Sequence, residues 1–168
     1  MEVYLDNSAT TEVSPEAAKK AREAMELVWG NPSSLHSRGL DAERLVLEAR
    51  ENILRSLGIT DRSAAKFGRL VFTGSGTEAD NLAIFGTAHA KAQSRGGRII
   101  TTDSEHPAVL ESCKALESEG FDVVYIRSRG GVLDMEQYMN ALTPRTVIVS
   151  IMAVNNETGA AYDINAQA

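Results

Sequence analysis

Apolar positions along this chain fall into short blocks whose spacing shifts from helical to extended and back. Ser14 followed by Pro15 and Glu16 has the residues of a helix start, and Ala17, Ala18, Ala21, Ala24 and Met25 recur at helical spacing until Gly30. Residues 1–13 read as a short strand or arm before it. The stretch from Asn31 to Gly39 reads as a loop. Leu40, Leu45, Leu47, Ile53, Leu54 and Leu57 then mark a second helix closed by Gly58.

Beyond this point the pattern is regular. A short buried strand is expected from Arg69 to Thr73, a helix from Thr77 to about Ser94 ended by Gly96-Gly97, and a strand from Arg98 to Thr102. A helix from Pro107 to Glu119 stops at Gly120, followed by a strand from Asp122 to Arg127, a helix from Asp134 to Leu142 and a strand from Thr146 to Met152. Strands alternating with helices at these lengths predict an α/β fold in three layers, a mostly parallel sheet with helices on both faces. From Asp163 onward the residues look like the start of another helix, so the domain is expected to be incomplete.

Composition narrows the function. The 168 residues are 43% hydrophobic and 24% charged, ordinary for a globular domain with a proper core. A formal charge of −6 with both signs interspersed, and no basic run, argues against a nucleic-acid partner. No apolar run is long enough to cross a bilayer and the N-terminus lacks a signal-peptide pattern, so no membrane association is expected and the location reads as cytoplasmic. Cys113 is the one cysteine, which rules out an internal disulfide and agrees with a reducing compartment.

The chemistry concentrates in Phe72-Thr73-Gly74-Ser75-Gly76-Thr77-Glu78-Ala79-Asp80-Asn81. Here an apolar strand runs into two glycines and a Ser/Thr pair that open a helix, an arrangement suited to phosphate. Glycines let the backbone approach an oxyanion, while the free N–H groups and positive end of the helix attract it. Other clusters accompany it: Leu5-Asp6-Asn7-Ser8-Ala9-Thr10-Thr11, Asn31-Pro32-Ser33-Ser34-Leu35-His36-Ser37-Arg38-Gly39, Ser104-Glu105-His106-Pro107 and Asn155-Asn156-Glu157-Thr158-Gly159.

In their order and spacing these five motifs resemble the cysteine desulfurases, the NifS/IscS-like branch of the class V aminotransferases, along the whole chain. The resemblance implies fold type I of the pyridoxal phosphate (PLP)-dependent transferases. Residues 1–13 would then be an arm or segment of the small domain and residues 14–168 an incomplete PLP-binding large domain. It implies that Gly76 and Thr77 take the cofactor phosphate, that His106 stacks on the ring and is a candidate proton carrier, and that Asn156 bonds the ring oxygen and helps place the substrate carboxylate. Asn155 is the structural neighbour. His36 and Asn31 match a loop near the site without an assigned role, and His89 reads as a helix residue.

The implied activity converts L-cysteine to L-alanine and an enzyme persulfide, supplying sulfur to an acceptor protein for iron–sulfur clusters or thio-cofactors. The resemblance also implies a homodimer, or a complementing C-terminal polypeptide. Of the five lysines, Lys19, Lys20, Lys66, Lys91 and Lys114, none stands in the Ser-x-His-Lys setting of the family's Schiff-base residue. The ring-nitrogen Asp is also missing. Cys113 lies on an apolar helix face seven positions after His106, where a free cysteine packs as a small hydrophobe, so the nucleophilic cysteine is missing too. The chain alone is therefore expected to be inactive, with PLP binding weak or absent.

Other readings compete. Gly74-x-Gly76-x-x-Ala79 with Asp103 at the end of the next strand satisfies a dinucleotide fingerprint, but it leaves the motifs at Asn7, Asn31, His106 and Asn156 unexplained. A hydrolase lacks its elbow, and three scattered histidines with one cysteine make no metal set. Selenocysteine lyases and other class V members share the scaffold. A non-catalytic remnant, or a regulatory or dimerising partner of a full-length desulfurase, is the alternative of another class.

Overall fold

A computed structural model of the chain describes residues 3–59 and 70–163. They form two compact units, residues 1–72 and 73–168.

In the first unit the arm at residues 3–13 is not a strand. The Tyr4 hydroxyl donates to the carbonyls of Asp6 and Thr10, and Asp6 O accepts from Ala9 N, which ties the arm into a turn. Helix α1 (Pro15–Glu26) starts as expected, with the Ser14 hydroxyl accepting Ala17 N–H and Pro15 in the first turn. It ends at Leu27, three residues before Gly30. Gly30 serves a close approach instead, since a Cβ there would run into the carbonyl of Arg38, and one on Gly39 would run into that of Ser34. These glycines let the Asn31–Gly39 loop fold back on itself.

Helix α2 (Ser37–Ser56) is capped by His36, whose Nδ1 accepts Gly39 N–H at 3.3 Å. It closes at Gly58, which takes φ +76° while Ile59 N returns to Leu54 O at 2.9 Å. This is the left-handed stop that a glycine permits.

The expected strand from Arg69 to Thr73 is a correction. Arg69 lies outside the described residues, and 70–73 are irregular, with Val71 57% and Phe72 51% exposed. A strand exists only where a neighbour completes its ladder, and among the described residues none pairs with this segment. Arg50 holds it instead, donating to the Leu70 carbonyl and stacking over the Phe72 ring at 4.8 Å. The expected helix from Asp163 lies outside the described residues after its first position.

The second unit carries the sheet. Its elements are α3 (Gly76–Arg95), β1 (Arg98–Thr102), α4 (Pro107–Ser118), β2 (Asp122–Ile126), β3 (Ser128–Arg129), β4 (Val132–Leu133), α5 (Met135–Ala141) and β5 (Thr146–Val149). β2, β1 and β5 form a parallel sheet in that order. β5 ends three residues earlier than the sequence suggests, because the chain turns off after its last pairing, Ile100 with Val149.

Alternation along β1 divides the core. Ile99 packs with Ile84 and Ala88 of α3 and with Val109, Cys113 and Leu116 of α4, while Ile100 on the opposite face packs with Ile126, Leu133, Tyr138 and Ala141. Helices thus cover both faces, as the mostly parallel, partial fold-type-I arrangement requires. A two-residue hairpin missing from the expectation joins β3 to β4 through Gly130 and Gly131, at φ +59° and +80°. Two successive positive φ angles suit the primed turn that matches strand twist.

Candidate functional site

β1 and β5 are parallel neighbours, so the chain leaves both at one edge of the sheet. β1 leads into Asp103-Ser104-Glu105-His106, and β5 leads into the segment holding Asn155 and Asn156. α3 feeds β1 through Gly96-Gly97 and runs back along the sheet, bringing its first turns to the same edge. Asp80 is accordingly close enough to Glu105 for its charge to act on that carboxyl. Open α/β sheets hold ligands at this carboxyl edge.

Residues 73–75 and the first turn of α3 have most of their polarity satisfied internally. Ser75 caps α3, its hydroxyl accepting Glu78 N–H at 3.2 Å. The Glu78 carboxylate reaches back to accept Gly74 N–H at 2.7 Å, and the Thr73 hydroxyl donates to Ser75 O at 3.0 Å. None of the described hydrogen bonds takes the N–H of Gly76 or Thr77, and a Cβ built on Gly76 would meet nothing within 4 Å. Two donors at the positive end of a 20-residue helix are thus without a described acceptor.

His106 is exposed and caps α4, its Nδ1 accepting Ala108 N–H at 3.1 Å. The plain role of helix cap is thus a structural fact. It also orients the ring, because an accepting Nδ1 leaves the proton of the neutral imidazole on Nε2.

The two asparagines part company. Asn155 is buried at 5% exposure; its Nδ2 donates to Ser104 O at 2.8 Å, and its Oδ1 accepts from Glu157 N, Thr158 N and the Thr158 hydroxyl at 2.8–3.0 Å. Asn156 is exposed, and no described hydrogen bond uses its side chain. Burial makes Asn155 the scaffold, while the Asn156 side chain stays exposed.

Sequence reasoning passed over Glu105. At 7% exposure, its Oε1 accepts the Thr102 hydroxyl at 3.0 Å and Met152 N–H at 2.8 Å. Burial pushes its carboxyl above the ordinary carboxylate range; the two hydrogen bonds oppose that shift and the Asp80 charge adds to it. The signal was its place directly after a buried strand, one residue before a candidate histidine. Tyr162 was passed over as well: its hydroxyl bonds Ser128 at 2.7 Å and Ser104 at 3.1 Å, beside a cleft of about 420 Å³ that none of Gly76, Thr77, His106 or Asn156 lines.

The remaining candidates have structural places. His89 on α3 meets Glu119 at 2.7 Å and lies between the rings of Phe85 and Phe121. Cys113 is fully buried, and its thiol is pushed up to about 11 by burial first and then by the Glu105 and Glu117 charges. A thiol in that state is a poor nucleophile. No group of three His, Cys, Asp or Glu among the described residues is placed to hold a metal, and no helix among them is long and apolar enough to cross a membrane.

The donor set fits part of a PLP molecule. Gly76 and Thr77 suit a phosphate, the oriented His106 imidazole an aromatic ring, and the Asn156 amide a ring oxygen or carboxylate. Nothing in it supplies a lysine.

Three comparisons bear on this arrangement. A family model described as aminotransferase class-V matches residues 3–167. The chain is 45% identical over 168 residues to cysteine desulfurase IscS of Pectobacterium atrosepticum, covering 98% of this chain and 40% of that protein. It is 42% identical over 163 residues to a cysteine desulfurase of Trichormus azollae, covering 39% of it. Among solved structures, a NifS-like protein superposes with a TM-score of 0.88 at 35% identity, over 99% of this chain and 44% of its own. DndA from Streptomyces lividans superposes with a TM-score of 0.78 at 34% identity, over 98% of this chain and 45% of its own. The chain spans about two fifths of the length of the curated relatives it matches.

Proposed function

The chain belongs to the class V aminotransferase family, among the cysteine desulfurases, and from that premise we propose that it is the N-terminal portion of a PLP-dependent cysteine desulfurase. The observation that carries the reading is the convergence on one sheet edge of two unclaimed helix N–H groups, an oriented histidine and an unpartnered asparagine amide.

PLP, when bound, supplies an electron-withdrawing ring that weakens bonds at the substrate α-carbon. The chain's own residues hold and orient. Gly76 and Thr77 take the phosphate with their N–H groups and the Thr77 hydroxyl. His106 lies against the ring and carries a transferable proton at Nε2. Asn156 bonds the ring oxygen and the substrate carboxylate, and Asn155 keeps its neighbour's backbone in place. Residues 1–13 belong with the small domain and 14–168 with the large domain of the complete enzyme.

In the overall reaction the C–S bond of L-cysteine breaks, the sulfur passes to an enzyme thiolate as a persulfide, and the carbon takes a proton to give L-alanine. Cys113 is not that thiolate, and the lysines present do not stand in the Schiff-base setting. These 168 residues by themselves give no turnover; a polypeptide carrying the lysine, the ring-nitrogen aspartate and the cysteine completes the site, with L-cysteine as substrate and a sulfur-acceptor protein downstream.

A PLP titration of the purified chain, followed by borohydride reduction and intact mass, tests the reading. Weak but saturable binding without a reducible lysine adduct is expected. Sulfide production from cysteine by the chain alone would overturn the assignment of catalytic groups.

A further inference from the structure

We infer that Glu105 is a positioning residue that fastens the β1 exit to the β5 exit, so that His106 and Asn156 are held on either side of one space before any ligand arrives. The inference rests on the proposed site, since it concerns how two of its residues are placed, but the fastening itself is visible without it.

Two segments are bonded to this carboxylate. Oε1 accepts the Thr102 hydroxyl, fixing Glu105 to the last residue of β1, and the same oxygen accepts Met152 N–H from the segment after β5. Asp80, on the second turn of α3, approaches near enough for its charge to act. The partners are 3 and 47 residues away in sequence, so the longer tie is purely tertiary. One end of that tie is the residue before the His106 cap, and the other lies three residues before Asn155.

A second bond runs parallel to the first, from Asn155 Nδ2 to Ser104 O at 2.8 Å. Glu105 reaches from the first exit to the second, and Asn155 reaches back. Two bonds between the exits, at Ser104 and at Glu105, remove the hinge freedom that one would leave. The β5 exit is then closed on itself, with Asn155 N donating to Ala160 O at 2.8 Å and Gly159 N to Asn155 O at 2.9 Å. A buried carboxylate is a costly choice for packing alone, because desolvation opposes it. Serving donors on two segments at once is something an apolar side chain of similar size cannot do.

The test is hydrogen exchange on the 168-residue chain, without ligand, for wild type, Glu105→Ala and Glu105→Gln. In Glu105→Ala, exchange rises about tenfold or more at Ala108, Glu157 and Thr158, amides that Glu105 does not touch, while Ile99 and Ile100 are unchanged. Glu105→Gln, which can still accept from Thr102 and Met152, stays within about threefold of wild type. Unchanged exchange at Ala108, Glu157 and Thr158 overturns the inference, as does a uniform rise that includes Ile99 and Ile100.

Titrations with PLP and with inorganic phosphate form the second arm. Glu105→Ala is expected to weaken PLP about tenfold and leave phosphate unaltered, with Glu105→Gln restoring PLP affinity. Equal weakening of both ligands overturns the positioning role. Wild type that takes up neither would mean that the half-site does not assemble in this chain alone, and the exchange arm would still decide the role of Glu105.

Discussion

The Ala108 amide donates to His106 Nδ1 at 3.1 Å, so the residue proposed to face the cofactor ring is also the cap of the helix that follows. One imidazole nitrogen is committed to the fold, and the other is the one proposed for chemistry. Substitutions can separate the two roles. His106→Ala removes both, costing about 1 kcal/mol of stability through the lost cap and weakening PLP binding. His106→Asn keeps a good cap residue, so urea unfolding should return close to wild type while PLP affinity stays low. Recovery of affinity in His106→Asn would show that the ring takes no part in binding.

Stability should depend on pH through Glu105. Its folded-state carboxyl lies above the ordinary carboxylate range, chiefly through burial. The folded chain therefore binds that proton more tightly than the unfolded chain. The contribution is fully present below the ordinary carboxylate pKa and is lost as pH rises through the raised one. Glu105→Gln, neutral throughout, should gain on wild type as pH climbs across this window. Denaturant midpoints of both proteins from pH 4 to 8 measure the difference, and parallel curves would contradict a carboxyl raised by burial.

Cys113 should be silent to thiol reagents in the native chain. It is fully buried, with its thiol pushed up to about 11, so labelling near pH 8 has to wait for opening of the α3–α4 core. Labelling should follow unfolding and reach completion in denaturant. Prompt stoichiometric labelling without denaturant would show that this helix face is open.

Gly39→Ala should damage the first unit although the position is helical, where alanine ordinarily helps. A Cβ at Gly39 collides with the Ser34 carbonyl, and backbone cannot step aside as a flexible side chain can. A loss of about 1–3 kcal/mol is expected by analogy with overpacking. Gly76→Ala, which meets nothing within 4 Å, is the control for stability. A neutral Gly39→Ala would mean that the Asn31–Gly39 loop packs otherwise.

What the sequence settled by itself was local. Ser14 with Pro15, Asp134 and Gly58 marked helix ends correctly, because caps and stops are decided by hydrogen bonds within a few residues. The motif residues resembled those of a known family closely enough to identify it, and alternation of strand and helix implied the parallel sheet. Tertiary structure decided whatever depends on a distant partner. The apolar run at 70–73 has the composition of a strand and no ladder neighbour among the described residues, so its propensity goes unrealised. Asn155 and Asn156 are the same residue type side by side. Only the fold buries one against Ser104 and leaves the other exposed at the start of the turn over 156–158. The place of Glu105 just before His106 was a local hint, but its tie was not legible, because its second acceptor bond reaches Met152, which folding alone brings within 2.8 Å.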